Sequence, residues 1–225
     1  MRYEGRPEAG GILARELVQM ELGPCVVAGI PRGGIIVAGP IADALGAPLI
    51  ALHTRKLSSP QAPEFAFGAM DEDGHVVIDY RSVVALGLGE AEIERVKAEV
   101  GRDVARRRAS YPGWRLEDFL PGRTVVIVDD GLATGLTMQV AVGCALRHGA
   151  EATVVAVPCA SERAAYEIQS LLKRPEDRFV CPLVAPAFRS VGEHYDRFPQ
   201  IEDAEVARLL RASVSVREAP SRRVP

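Results

Sequence analysis

The sequence predicts an α/β fold in which helices cover both faces of a mostly parallel, twisted sheet, giving three layers in a Rossmann-like arrangement. Short apolar runs, of the kind found in strands buried on both faces, lie at residues 25–30, 125–128 and 153–157. Each run is followed by a segment in which apolar residues recur with helical spacing. The turns at 31–34 and 131–137 are rich in glycine, as expected at the ligand-binding edge of an open α/β sheet.

The remaining elements continue this alternation along the chain. Pro40 lies within an apolar helical pattern and should kink that helix or delay its start. The charged segment 89–109 has a narrow apolar stripe and predicts a solvated helix packed on the core or on a partner subunit. The predicted helices are 8–21, one holding Val37 to Leu45, 89–109, one holding Met138 to Leu146, and 161–172. The predicted strands are 25–30, 48–53, 76–78, 125–128, 153–157 and 178–183.

The turn after the strand 125–128 has the features of a phosphate site. Gly131 and Gly135 allow a positive φ and a close approach of ligand to backbone. Thr134 and Thr137 add hydroxyl donors. The backbone N–H groups at the start of the following helix are unpaired and favour an anion. No lysine follows the second glycine, so the segment is not a P-loop, and it is not GxGxxG either.

Two adjacent carboxylates, Asp129 and Asp130, lie where that strand should end. They would repel a phosphate bound beside them unless they hold something else. Carboxylates bind sugar hydroxyls and hard cations such as Mg²⁺. A ligand with a sugar diol and a phosphate therefore fits both halves of the segment. The alternative is a structural βα turn with an N-cap aspartate and two turn glycines.

The stretch VVIVDDGLATGLTM, residues 125–138, resembles the PRPP-binding motif of type I phosphoribosyltransferases. The resemblance implies that Asp129 and Asp130 hold the ribose 2′ and 3′ hydroxyls, one of them through Mg²⁺, so both are predicted metal ligands. It also implies that residues 133–137 hold the 5′-phosphate, and it counts Asp130 among the catalytic residues. The PRPP-binding residues implied in this segment are Asp129, Asp130, Gly131, Ala133, Thr134, Gly135 and Thr137.

A second turn, AGIPRGG, follows the strand 25–30. Its glycines let the backbone approach a ligand, and Arg32 offers a forked donor to phosphate oxygens. The turn resembles the one that grips pyrophosphate in type I phosphoribosyltransferases, which implies that Arg32 and Gly33 contact PRPP. A turn with a solvent-facing arginine is the alternative.

Residues 54–74 predict a long loop, because prolines and serines interrupt them and no apolar stripe is evident. Asp73-Gly74 is a hairpin turn signal before the strand 76–78. The family resemblance places a mobile catalytic loop in this region, which makes Arg55 and Lys56 candidate catalytic residues. Two solvated bases at a strand end are the alternative.

The resemblance also implies a C-terminal hood over the acceptor, formed by the segment after the last strand. Phe188 and Tyr195 are the aromatic residues there that can stack on a planar ring, so they are the predicted acceptor-binding residues. Packing of both rings into the core stays open as an alternative.

Composition restricts the class of protein. The 225 residues are 48% apolar and carry a net charge of −3, so no basic field favours nucleic acid or a membrane surface. The four cysteines lack CxxC spacing, and no apolar run approaches a membrane span. We expect a cytoplasmic protein with one domain over 1–212, a helical insertion and connector at 89–122, and a disordered tail at 213–225.

Together these features predict a phosphoribosyltransferase fold with a hood and a flexible loop. The predicted enzyme is a pentosyltransferase that uses PRPP and Mg²⁺ and passes the phosphoribosyl group to a small, nucleobase-like acceptor. A non-catalytic PRPP or nucleotide sensor and a phosphoribosyl hydrolase are alternatives with the same site. The chain as a whole looks like a bacterial and archaeal group of phosphoribosyltransferases without an assigned acceptor. The acceptor, the general base and assembly into a homo-oligomer stay open.

Overall fold

The structure is a computed structural model that describes residues 2–111 and 115–215, except the side chains of 214 and 215. The helices in these ranges are α1 (Arg6–Val18), α2 (Gly33–Leu45), α3 (Tyr80–Ala85), α4 (Glu90–Ser110), α5 (Leu116–Phe119), α6 (Leu136–Arg147), α7 (Glu162–Gln169) and α8 (Asp203–Ser215). The strands are β1 (Cys25–Gly29), β2 (Leu49–Ala51), β3 (Thr54–Ser59), β4 (Ala62–Asp71), β5 (Val76–Ile78), β6 (Thr124–Val128), β7 (Ala152–Ala156), β8 (Cys159–Ser161), β9 (Arg178–Val180) and β10 (Leu183–Ala185).

The central sheet has five parallel strands in the order β2-β1-β6-β7-β9, which confirms the predicted fold class. Successive side chains of β6 point to opposite faces. Val125 and Ile127 pack with apolar residues of α6 and α7. Val126 and Val128 pack with residues of α1, α2 and α8. This alternation produces the three layers, and burial on both faces explains why the strand sequences are continuously apolar.

The topology brings the two glycine-rich turns together. Strands β1 and β6 are neighbours, and Gly29 lies opposite Val128 at their carboxyl ends. The N–H of Ile30 donates to the carbonyl oxygen of Val128 at 2.8 Å. A Cβ on Gly34 would lie 2.5 Å from that same oxygen, so α2 begins directly against the end of β6. The turn at 31–33 therefore faces the turn at 129–135 across this edge.

The long loop predicted at 54–74 is wrong, because this segment forms regular antiparallel structure. Strands β3 and β4 make a hairpin, and β5 completes a three-stranded sheet after the predicted turn at Asp73-Gly74. Leu57 and Phe67 are fully buried in a cluster that also contains Val96 of α4. The apolar residues of the hairpin find their partners on a helix that follows much later in the chain.

Two smaller expectations also need correction, and one pair of strands was not predicted. Helix α2 starts at Gly33 and contains Pro40, so the proline does not delay its start. Strands β8 and β10 form a parallel pair that the sequence did not indicate. Helix α8 includes residues 213–215 of the expected disordered tail, and residues 216–225 lie outside the described part. No helix in the described ranges has the length and apolar character needed to cross a bilayer.

Candidate active site

A cavity of about 270 Å³ lies at the carboxyl edge of β1 and β6. Its wall includes every residue predicted to bind PRPP, the metal or the leaving group: Arg32, Gly33, Arg55, Lys56, Asp129, Asp130, Gly131, Ala133, Thr134, Gly135 and Thr137. Residues from three separate parts of the sequence thus meet in one place. Ile30, Pro31, Thr54, Leu132 and Val191 complete the wall.

The turn predicted to bind phosphate is fixed by its neighbours and lines the cavity. Leu132 accepts from the N–H of Ser161 and donates its own N–H to Cys159, both at 2.9 Å. The Ser161 hydroxyl donates to the carbonyl oxygen of Ala133 at 2.8 Å. Gly135 has a φ of 74° at the N-cap of α6, and no described side chain caps that helix. Its first N–H groups therefore remain free to bind an anion.

The two carboxylates at the end of β6 differ in their partners. Asp130 Oδ2 accepts from the Nε of Arg6 at 2.7 Å, in an ion pair whose side chains are only 8% and 16% exposed. Asp129 Oδ1 accepts from the backbone N–H of Asp130 at 2.9 Å. Arg6 therefore neutralises the charge of Asp130, whereas no described cation lies within ion-pair distance of Asp129.

Burial and mutual repulsion perturb the titration of this pair. Burial raises the pKa of Asp129 well above its ordinary value, and the charge of Asp130 raises it further. Burial also raises the pKa of Asp130, although Arg6 opposes this shift. The charge of Lys56 lowers both pKa values. The pair therefore favours binding a proton, a cation or hydroxyl donors.

The donor set of this pair fits Mg²⁺. Both side chains offer hard carboxylate oxygens, and Oδ2 of Asp129 and Oδ1 of Asp130 remain after the hydrogen bonds above are made. A cation would also remove the repulsion that raises the pKa of Asp129. Each carboxylate keeps one free oxygen, and Arg6 neutralises Asp130, so the negative charge of Asp129 is the one left for a cation to balance.

The basic residues of the cavity come from two elements. Arg32 follows a cis peptide bond between Pro31 and Arg32, and its Nη1 lies 4.0 Å from Oδ1 of Asp203 in α8. Arg55 Nη2 is paired at 2.7 Å with Oδ2 of Asp103 in α4. Lys56 is exposed beside them on β3. Helix α4, whose role the family resemblance left open, thus holds one of the predicted catalytic side chains.

The predicted acceptor-binding rings do not line the cavity. Tyr195 is 2% exposed, packs against Tyr3, and donates its hydroxyl to the carbonyl oxygen of Asp130 at 2.7 Å. Phe188 packs against His194 with tilted rings at a centroid distance of 4.7 Å. The ring of Tyr195 also contacts Phe198, so in this structure the ring is buried among aromatic neighbours and its hydroxyl supports the backbone of the acidic pair. Val191 is the residue of this segment that reaches the cavity.

Sequence reasoning missed three residues that shape the site. Arg6 opens a helix and has no motif around it, and it lies 124 positions from its partner Asp130. Asp103 belongs to a helix whose charges looked like a solvated surface. Val191 is one apolar residue in an irregular segment. The only available signal was the unpaired aspartate pair itself, because a buried carboxylate needs a cation or a hydrogen-bond donor.

Comparison with known proteins places the chain among relatives of one kind. The family model described as "Phosphoribosyl transferase domain" matches residues 8–182. The Mycobacterium tuberculosis proteins named "Putative phosphoribosyl transferase Rv0571c" and "Putative phosphoribosyl transferase MT0597" are each 38% identical over 208 residues. That alignment covers 92% of this chain and 46% of each relative, so the chain spans about half the length of these proteins.

One solved structure is similar over nearly its whole length. The crystal structure of the protein TT1426 from Thermus thermophilus is 34% identical, with a TM-score of 0.72. The match covers 93% of this chain and 98% of that one. The arrangement of layers described above is therefore shared with a protein of similar size.

Proposed function

The chain belongs to the phosphoribosyl transferase domain family, and from this membership we propose that it transfers the 5-phosphoribosyl group of PRPP to a nucleobase-like acceptor and releases pyrophosphate. In this reaction the bond from C1 to the pyrophosphate oxygen breaks, and its electron pair leaves with pyrophosphate. A ring nitrogen of the acceptor forms the new bond at C1 and loses its proton. The transition state has the character of an oxocarbenium ion, as in glycoside chemistry.

The observation that carries the proposal is the pairing of two binding surfaces in one cavity. Asp129 and Asp130 offer acceptors for the ribose hydroxyls at the end of β6. A few residues further, the uncapped start of α6 offers N–H donors for the 5′-phosphate. A pair of carboxylates at the end of β6, followed by an anion site at the start of α6, suits a phosphorylated sugar better than a nucleoside triphosphate or a simple phosphate.

In this proposal, the pyrophosphate leaving group lies against the basic residues of the cavity. Arg32, Arg55 and Lys56 line the wall from the start of α2 and from β3, and they can stabilise the charge that develops on pyrophosphate. Arg55 would exchange its pairing with Asp103 for one with the ligand. Asp103 would keep Arg107 nearby, with Nε at 3.7 Å, when Arg55 leaves.

Mg²⁺, when bound at the carboxylates, would neutralise phosphate and pyrophosphate charge during the transfer. The protein's own contribution is position. Arg6 and Tyr195 fix Asp130 through its side chain and its carbonyl oxygen, respectively. The turn at 131–135 is tied to β8, so the phosphate and the ribose hydroxyls would be held at a constant separation.

The test is PRPP consumption with Mg²⁺, with and without a panel of purine and pyrimidine bases, and with separate assays of pyrophosphate and ribose 5-phosphate. A transferase releases pyrophosphate only when a suitable acceptor is present. Release of pyrophosphate with ribose 5-phosphate and without an acceptor indicates the hydrolase alternative. Tight PRPP binding without any consumption across the panel would contradict the transferase and favour the sensor.

A further inference from the structure

Three potential metal ligands meet outside the wall of the proposed active site, where the β4–β5 turn contacts helix α6. Asp73 lies in that turn, Cys144 lies on α6, and His148 lies one turn later at the C-cap of that helix. One ligand atom from each residue lies within 4.8 Å of the other two. None of the three lines the cavity described above. In the part of the chain that the structure describes, no other group of three or more His, Cys, Asp or Glu side chains brings its ligand atoms within 4.8 Å of one another.

The separations resemble those between ligands of one tetrahedral ion. His148 Nε2 lies 2.9 Å from Asp73 Oδ2, and Cys144 Sγ lies 3.6 Å from the same oxygen. Bond lengths of about 2.3 Å to sulfur and about 2.0 Å to nitrogen or oxygen imply ligand separations of roughly 3.3–3.6 Å in a tetrahedron. The ligand atoms of Cys144 and His148 lie within 4.8 Å of each other, which leaves all three side chains within reach of one ion.

We propose that Asp73, Cys144 and His148 form a binding site for a divalent cation of the zinc class, with the fourth position left to water. Thiolate and imidazole are ligands that zinc accepts and that Mg²⁺ does not select. The site is therefore distinct in chemistry from the carboxylate pair at the end of β6. Its binding does not depend on the proposed transferase activity.

The charges around the cluster are partly balanced. The metal–sulfur bond forms with a thiolate, so the Cys144 thiol would release its proton to solvent when the ion binds. Arg147 already pairs with Asp71, and its Nη2 lies 3.9 Å from Oδ2 of Asp73, so it balances part of the local negative charge.

Such an ion would connect two parts of the fold that matter for the cavity. The β4–β5 turn belongs to the antiparallel sheet that carries Arg55 and Lys56 on β3. Helix α6 begins at the phosphate-binding turn. An ion held by both elements would fix the sheet against the helix and raise the melting temperature of the protein.

Cobalt is the probe of choice, because a thiolate ligand gives Co²⁺ a charge-transfer band in the near ultraviolet. The experiment uses the full chain without a histidine tag, in a titration with Co²⁺ followed by competition with Zn²⁺. We expect one Co²⁺ per chain with a thiolate band, release of about one proton, and displacement by Zn²⁺ but not by Mg²⁺. Cys144→Ser should abolish the band, and His148→Gln should weaken binding at least about tenfold.

Cys181→Ser is the matched control, since Cys181 is a half-buried thiol whose Sγ contacts the carbonyl oxygen of Leu183 in another part of the fold. It should leave the titration unchanged. Because Cys144 is fully buried and its replacement can impair folding, Asp73→Asn at the exposed turn provides an independent variant and should also weaken binding. A missing thiolate band in the wild type, or a band that persists in Cys144→Ser, would overturn the proposal.

Discussion

Arg6 Nε donates to Oδ2 of Asp130 at 2.7 Å, which joins the first helix to the end of the central strand β6. Arg6 also donates to the carbonyl oxygen of Pro199 at 2.8 Å and lies 3.7 Å from the ring centroid of Phe198. One side chain thus connects the N-terminal helix, the acidic pair and the C-terminal segment. Because the ion pair is largely buried, solvent screens it little.

Arg6→Gln should therefore lower both stability and ligand affinity. Removing one partner of a buried ion pair leaves an uncompensated charge and costs roughly 3–5 kcal/mol, and the glutamine amide, which can still donate, places the loss near the lower end. Urea unfolding measures the stability, and calorimetry with PRPP and Mg²⁺ measures the affinity.

Arg197→Gln is the control for this variant, because the ion pair of Arg197 with Glu4 is exposed, with side chains 72% and 65% accessible. An exposed pair contributes about 0–1 kcal/mol. If both variants unfold at the same urea concentration, Arg6 does not stabilise the acidic pair in the way described.

Asp129→Asn should stabilise the protein without metal and remove its Mg²⁺-dependent PRPP binding. The raised pKa means that folded Asp129 keeps its proton to a higher pH than the unfolded chain does. The wild type therefore loses stability as pH rises from the unfolded pKa through the raised folded pKa. Asparagine has no charge to bury, so the difference in melting temperature should grow over that pH window, by about 2–4 °C for each kcal/mol relieved.

The matched variant is Asp130→Asn, which should gain less stability, because Arg6 opposes the upward shift of the Asp130 pKa and loses its carboxylate partner in the variant. Thermal unfolding in the presence of a chelator, at several pH values, separates the two cases. We expect the larger gain in melting temperature for Asp129→Asn. An equal or larger gain for Asp130→Asn would mean that Arg6 does not stabilise the charge of Asp130.

Gly33→Ala should disrupt the acidic pair from the opposite turn. A Cβ at this position would lie 1.9 Å from Asp130 Oδ2 and 3.0 Å from Arg6 Nε, so the carboxylate or the helix start must move. We expect a loss of PRPP affinity together with a lower melting temperature. Gly39→Ala, in the same helix and with no atom within 4 Å of the new Cβ, should instead stabilise the protein by about 0.5–1 kcal/mol. Normal PRPP binding by Gly33→Ala would show that the two turns are not in tight contact.

The sequence predicts those parts of the fold and site that depend on local pattern. Spacing alone predicts buried strands from the continuous apolar runs of β1, β6 and β7. It also predicts tight turns from the glycines that follow β1 and β6. The hairpin β3–β4 was missed because its buried residues, such as Leu57 and Phe67, become apolar neighbours of Val96 only after folding. The position of the Tyr195 ring could not be predicted for a similar reason, since an aromatic ring fits either a stacking surface or the core until its neighbours are known.

The same limit applies to charge. Arg6 and Asp103 belong to segments that look like ordinary solvated helices, and their importance lies in partners 124 and 48 positions away, respectively. Helix α8 received no prediction, although Val206 and Leu210 are buried one turn apart against α2 and β2. An ion pair within one helix can be predicted from the spacing of its two residues. An ion pair between distant elements depends on the topology of the fold, which the spacing does not reveal.

The last prediction concerns the β3–β4 hairpin, which we expect to close over bound PRPP by movement of its tip. The base of the hairpin is regularly paired and buried, whereas the pairing shifts register on both sides of Ser58, and Phe65 near the tip is 59% exposed. Irregular, exposed pairing has a low free energy of opening. Hydrogen exchange should therefore slow on addition of PRPP with Mg²⁺ mainly in 58–66, and little in 54–57 and 67–71, which are already protected. Exclusion of water by the closed tip matters because an oxocarbenium-like centre is readily captured by water.

Lys56→Ala, just before the tip of this hairpin, should lower turnover more than PRPP affinity. Lys97→Ala is the control and should change neither, because the ammonium group of Lys97 pairs with Glu94 on α4. Unchanged exchange in 58–66 together with wild-type turnover of Lys56→Ala would mean that the hairpin takes no part in catalysis, and a sensor that binds PRPP without transferring it would then account better for the site.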